Sequence, residues 1–257
     1  EKETSDESHF SEYALDPAPL SEADGIKAET AGTAAPSDKA ALPLPDKPSV
    51  AVLPFQNISG DPEQTYFADG ITEDIITDLS KLSGLFVIAR NSSFRYRGGA
   101  HDLKQVGAEL GVKFVLEGSV RRAGNTVRIN AQLIETATGG HLWAERYDGT
   151  LEDVFALQDK VTGAIVKALE ITFKQGEEMA FGQHETENIK AYDEFLAGWK
   201  YFNKTTPADF KKAIAHFERA ILLDANYARP HAALAELYTI TYRNFWHIPL
   251  GYDGGIT

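Results

Sequence analysis

No cysteine occurs among the 257 residues, so disulfides, thiolate nucleophiles and Cys-ligated zinc are all excluded. A chain without thiols suits a reducing cytoplasm, the compartment expected here, with the periplasm as the alternative. No apolar run approaches the roughly 18–20 residues that a membrane-spanning helix needs, so no membrane span is expected in this segment. No signal-peptide pattern opens the chain either. Positive charge is scarce: 25 Lys and Arg stand against 38 Asp and Glu, a net of −13. Phosphate binding needs clustered cations, so no nucleic acid is expected to bind this segment. The H-E-x-x-H, Walker A, dinucleotide-binding glycine and G-x-S-x-G patterns are absent too. The seven histidines, at 9, 101, 141, 184, 216, 231 and 247, make no close metal-binding pair. These gaps together predict no catalytic residue, no metal site and no cofactor. The chain starts at Glu1 rather than Met and stops at Thr257 just after a helical pattern, which reads as a piece of something longer.

What is present divides the sequence into parts. Residues 1–47 hold eleven acidic and four basic side chains, a net of −7, and six of the eleven prolines fall at or before Pro48. With few large apolar residues, burial there does not offset the cost of ordering the backbone. A disordered acidic Pro/Ala-rich linker is expected, stiffened locally by Leu42-Pro43-Leu44-Pro45.

From residue 48 to 175 the pattern changes to strands and helices. Ser49–Phe55 reads as a strand buried on both faces, ended by the turn formers Asn57-Ile58-Ser59-Gly60-Asp61-Pro62. A helix is predicted from about Gln64 to Leu82, with Phe67, Ile71, Ile75, Leu79 and Leu82 as one apolar stripe. Asp69, Glu73, Asp74 and Asp78 lie mostly off that stripe and are expected to form a solvated face. Leu85–Ala89 reads as a second buried strand and Arg90 to Gly99 as a loop. Asp102 and Gly111 can cap a short helix at its two ends. Lys113–Val120 and Thr126–Ile134 form a hairpin, whose second arm alternates Val127, Ile129, Ala131 and Leu133 with polar residues. One more strand, His141–Tyr147, precedes the capping-box pattern Thr150-Leu151-Glu152-Asp153. The helix it starts is expected to run to about Phe173. The fold class expected is α/β, a mixed sheet with packed helices.

After a polar joint, 176–188, the pattern is wholly helical from 189 to the end. Ala191–Asn203 and Pro207–Asp224 read as a helix pair and Tyr227–Tyr242 as the next helix, with Thr206-Pro207-Ala208-Asp209 as a start signal. Gly198, Tyr201, Ala213, Phe217 and Ala220 match small and aromatic positions of a tetratricopeptide repeat, and Leu234, Ala235 and Tyr238 take the equivalent places in the next unit. Gly198 to Ala235 spans 37 residues, against a repeat of about 34. Ala225 stands where the repeat usually has Pro. This is the start of a truncated helical array, all-α and tetratricopeptide-like.

Two side-chain groups are candidate contact sites. Arg90, Arg95, Arg97, Arg121 and Arg122, with Arg128, are the notable cations, flanking loops that can face one end of the sheet. They are candidates for an anion or an acidic partner, against ordinary surface arginine. Tyr192, Phe195, Trp199 and Phe202 are candidates for a partner-binding aromatic face, against simple packing.

Over Ser49–Phe173, about 125 residues, the chain resembles the TolB-amino-terminal-like domain of bacterial, rhizobial-type class III adenylate cyclases and related tetratricopeptide regulators. The stretches that carry the resemblance are Pro48–Phe55, Tyr66–Ile71, Phe86–Ser92, Glu109–Val120 and Leu142–Asp148. It implies a non-catalytic module between an N-terminal effector and C-terminal helical repeats, acting through a protein partner or its own effector domain. The parent implied is an adenylate cyclase whose catalytic domain lies outside this chain. The alternative is a winged-helix transcription regulator or a free-standing envelope-associated repeat protein.

Overall fold

Ser49–Val52 forms β1, whose period-two alternation sends Val50 and Val52 to one face of a sheet and Ala51 to the other, all of them buried. The structure is a computed structural model that describes residues 46–174, 176–177, 183–244 and 246. The linker expected over 1–47 lies outside the described residues, its last two positions excepted.

The remaining strands are β2 (Gln56–Asn57), β3 (Phe86–Val87), β4 (Phe114–Ala123), β5 (Thr126–Glu135) and β6 (His141–Thr150). The sheet is mixed, in the order β3-β1-β4-β5-β6, with β2 pairing β4. β1 runs parallel to β3 and β4, while β4, β5 and β6 form an antiparallel meander. Val127, Ile129, Ala131 and Leu133 of β5 all face the core, as their alternation predicts. Four helices accompany the sheet: α1 (Thr65–Ser80), the single turn α2 (Arg90–Ser93), α3 (Leu103–Leu110) and α4 (Val154–Ala168). The α1 stripe Phe67, Ile71, Ile75 and Leu79 is buried throughout, as is Leu82 just past the end of the helix. Burying a side chain of this size contributes about 1.5–3 kcal/mol. On the other face a smaller cluster of Ala51, Leu53, Val106, Val112 and Val115 lies with α3. Beyond it the meander shows a polar surface, where Asn130 donates to Ser119 (2.9 Å) and Gln132 to Glu117 (3.3 Å).

The caps follow the sequence. The Asp102 carboxylate accepts from the Lys104 amide (2.9 Å), and Gly111 closes α3 with φ 65°. The Thr150 amide donates to Asp153 (2.9 Å), completing the capping box ahead of α4.

Four expectations need correction. Only Phe86 and Val87 of Leu85–Ala89 join the ladder, and Phe86 is 40% exposed, because β3 is an edge strand with β1 as its one partner. Arg90 to Gly99 is not a plain loop: α2 is followed by a 3-10 turn, Phe94–Tyr96, pinned by Arg90 to Glu73 (2.8 Å) and Arg97 to Asp69 (2.8 Å). The acidic face of α1 is not solvated. Asp69, Glu73, Asp74 and Asp78 are each at least partly buried and pair with Arg97, Arg90, Arg229 and Lys81. Finally, α4 ends at Ala168 instead of Phe173, just before Glu170 takes a left-handed φ of 52°.

The chain then becomes helical: α5 (Ile189–Phe202), α6 (Pro207–Leu223) and α7 (Ala228–Arg243). Pro207 occupies the first turn of α6, and the Asp209 amide donates to Thr206 (3.1 Å), as the start signal predicts. These helices do not stand apart from the sheet layer. Their buried residues Ala191, Tyr192, Phe195, Leu196, Phe210, Phe217 and Leu237 are continuous with the core under α1 and α4. Close approach depends on glycine at two places. A Cβ at Gly70 of α1 would lie 2.5 Å from the Leu196 methyls of α5, and one at Gly198 of α5 would lie 2.6 Å from the Phe217 ring of α6. The three helices thus bury their apolar face on the α/β layer.

The joint is anchored by Glu177, whose carboxylate accepts the amides of Lys174 (2.8 Å) and Ser83 (2.9 Å). Those bonds, the Lys174 amide first, hold its pKa at about 2 against an ordinary 4.5. The folded value is the lower one, so this stabilisation is fully present above pH 4.5 and is lost as pH falls toward 2. Glu177→Gln should therefore lower Tm above that interval. The gap from wild type should close as acid is added, in thermal melts followed by circular dichroism.

Candidate functional site

The most elaborate polar constellation lies where α1 and α4 meet α5 and α7, and Asp74 is its centre. The Arg229 guanidinium, at the start of α7, donates to Asp74 Oδ1 at 2.9 Å. The Tyr192 hydroxyl of α5 and the Gln158 amide of α4 donate to Asp74 Oδ2 at 2.5 and 3.0 Å. Gln158 Nε2 also reaches the Tyr192 hydroxyl (3.2 Å), and Arg229 Nε reaches Glu185 at 3.2 Å. Arg229 lies over the Phe195 ring, 5.6 Å from its centroid. Burial opposes the Arg229 charge, yet Asp74, Tyr227 and Glu185 outweigh it and hold the guanidinium protonated beyond its ordinary range. Burial first, and the Asp74 charge second, push the Tyr192 hydroxyl well up, so it acts as a neutral donor. One carboxylate of α1 thereby ties together α4, α5 and α7.

A second tie runs from the sheet. Arg122, near the end of β4, grips Asp193 of α5 through two bonds of 2.6 and 2.9 Å. The Tyr66 hydroxyl of α1 donates to the same carboxylate (3.0 Å), and Arg122 lies 4.9 Å from the Phe67 ring centroid. The two-bond geometry is the strong form of an Arg–carboxylate contact.

Beside this tie, between α1, α2 and α5, a cleft of about 300 Å³ is lined by Asp69, Glu73, Arg90, Phe94, Arg97 and Trp199, among others. Both guanidiniums face Phe94, at 4.0 and 5.2 Å from its centroid. Burial raises the Glu73 pKa, with Arg90 opposing.

The structure therefore brings Arg90, Arg97 and Trp199 to one cleft and sets Arg122 beside it. Arg95 and Arg121 are exposed elsewhere, and Arg121 faces Arg128 across the hairpin. Arg128 turns instead to Asp148 (2.5 Å). Tyr192, Phe195 and Phe202 are buried, and Trp199 is partly buried with its ring stacked 4.8 Å from Phe202. Nothing in the sequence marks Gln158, Asp193 or Arg229, or sets Asp74 apart from its acidic neighbours on α1. Their partners lie 34 to 155 residues away, a separation at which helical periodicity carries no signal. Among the described residues no group of three or more His, Asp or Glu side chains is placed to hold a metal ion. No described helix is long and apolar enough to cross a membrane.

Comparison with known proteins gives three kinds of similarity. Residues 46–164 match the family described as HilA/YgeH-like transcriptional regulator, second domain. Over 204 residues the chain is 53% identical to a Rhizobium meliloti (strain 1021) protein named "Putative adenylate cyclase 3". The match covers 79% of this chain but 35% of that relative's length. Among solved structures, TolB from Acinetobacter baumannii is 18% identical over 51% of this chain and 30% of its own, with a TM-score of 0.38. Lipoprotein GNA1162 from Neisseria meningitidis is 21% identical over 48% of this chain and 98% of its own, with a TM-score of 0.36.

Proposed function

We propose that this chain is a non-catalytic regulatory and scaffold region of a bacterial signalling protein, the C-terminal part of an adenylate cyclase. In this reading residues 48–175 form a TolB-like α/β module in the cytoplasm. Residues 189–257 begin a tetratricopeptide array, and 176–188 join the two. The observation that carries the proposal is the Asp74 seam, in which α1 and α4 of the sheet layer clamp α5 and α7 of the helical part through one carboxylate. Rigid coupling of this kind transmits a displacement of the helices to the sheet, because packed elements shift as units. The relative named an adenylate cyclase supports the choice of parent. Arg90, Arg97 and the rim of Trp199 are the proposed contact residues for a protein partner or the parent's own effector domain, since their cleft is open beside the coupled helices.

A second reading is favoured by the match of 46–164 to a transcription regulator's second domain. There the same module serves a winged-helix effector.

Cyclic AMP formation separates these readings. The purified 257-residue chain with ATP, Mg²⁺ and Mn²⁺ should yield none above a buffer control. The whole protein should yield it, and Arg229→Met should change its rate without touching the catalytic segment assayed alone. Turnover by the chain itself, abolished by one carboxylate change, would overturn the non-catalytic assignment. A whole protein that makes no cyclic AMP but changes promoter output would favour the regulator.

A further inference from the structure

Strand β6 ends the sheet, and no strand among the described residues pairs with its outer edge. It is ten residues long and mostly exposed. The other edge, β3, is two residues long. Natural sheets usually shorten, cover or distort an edge, because its free backbone groups template pairing with another chain.

Which groups are free follows from the ladder. The Leu151 amide donates to the Asn125 carbonyl (2.8 Å), which fixes the hydrogen-bonded pairs of β5 and β6 as odd-numbered: Gly149 with Val127, Tyr147 with Ile129, Glu145 with Ala131. The N–H and C=O groups of Ala144, Arg146 and Asp148 therefore point outward. Further along, the Thr150 amide is already taken by Asp153. The side chains of Arg146 and Asp148 are 63% and 43% exposed and lie on the polar face, 3.2 Å apart.

We infer that β6 pairs antiparallel with β6 of a second copy of this chain, about a twofold axis at Tyr147. The charge pattern selects this occupant and this register. With the axis at Tyr147, Arg146 stands opposite the partner subunit's Asp148, and Asp148 opposite the partner subunit's Arg146. Tyr147 then meets its own counterpart. Twofold axes at Glu145, Arg146 or Asp148 would each set a charge against itself, which is destabilising directly across a ladder. The same charges discourage unrelated strands, so the edge is guarded against general aggregation and complementary to itself. This pairing is independent of the parent protein proposed above.

Sedimentation of the chain at tens of micromolar should give twice the 28.2 kDa chain mass. Arg146→Asp and Asp148→Arg, each folded by circular dichroism, should each give the monomer mass. Mixing the two variants recreates both unlike-charge contacts and should restore the dimer. Hydrogen exchange of the wild type should show protection at Ala144, Arg146 and Asp148 that grows with concentration, which tests the edge without any substitution. A wild-type monomer at these concentrations would overturn the inference. So would a dimer that survives Arg146→Asp, or monomeric variants that stay monomeric when mixed.

Discussion

Asp74→Ala should destabilise the chain by about 3–5 kcal/mol, the range for removing one partner of a buried ion pair. The carboxylate and its guanidinium partner are 14% and 25% exposed. Without Asp74, Arg229 keeps Glu185, which is itself 47% exposed, while Tyr192 and Gln158 lose their common acceptor. Arg229→Met should cost less, because Asp74 keeps both of those donors. Urea unfolding of the two single variants and the double variant isolates the pair's coupling. A loss below about 1 kcal/mol for Asp74→Ala would class the seam with ordinary surface ion pairs.

Phe217→Ala should cost a similar amount, about 3–5 kcal/mol, by cavity formation. Phe217 is fully buried, its ring 5.8 Å from Phe195 and 6.4 Å from both Trp199 and Phe202, against the Gly198 backbone. The helices around it share the sheet's core, so the whole transition should move and remain single. Two transitions in calorimetry, with only the lower one displaced, would show that the helical region unfolds alone.

These two residues differ in how far the sequence announces them. Phe217 sits in a small-and-aromatic pattern with Gly198, and helix periodicity alone places it inward. The first strand, the hairpin, the last strand and the caps at Asp102, Thr150 and Thr206 are legible for the same reason: their signals lie within a few residues of one another. Asp74 is opaque. Its spacing from Asp78 is that of any solvated helix face, and the donors that bury it come from Gln158, Tyr192 and Arg229, which only the fold assembles. Arg122 stands out as a cation with a possible acidic partner, yet nothing local identifies Asp193 as that partner. The turn at Arg90–Tyr96 is hidden likewise, since Glu73 and Asp69 hold it from α1.

Coupling between the sheet layer and the helices through Asp74 is the central claim, and amide hydrogen exchange of wild type and Asp74→Asn tests it most directly. Both α1 and the α5–α7 helices should exchange faster in the variant, together and by a matched factor on the order of tenfold for each 1.4 kcal/mol lost. Acceleration confined to α1, with α5, α6 and α7 at wild-type rates, would contradict it.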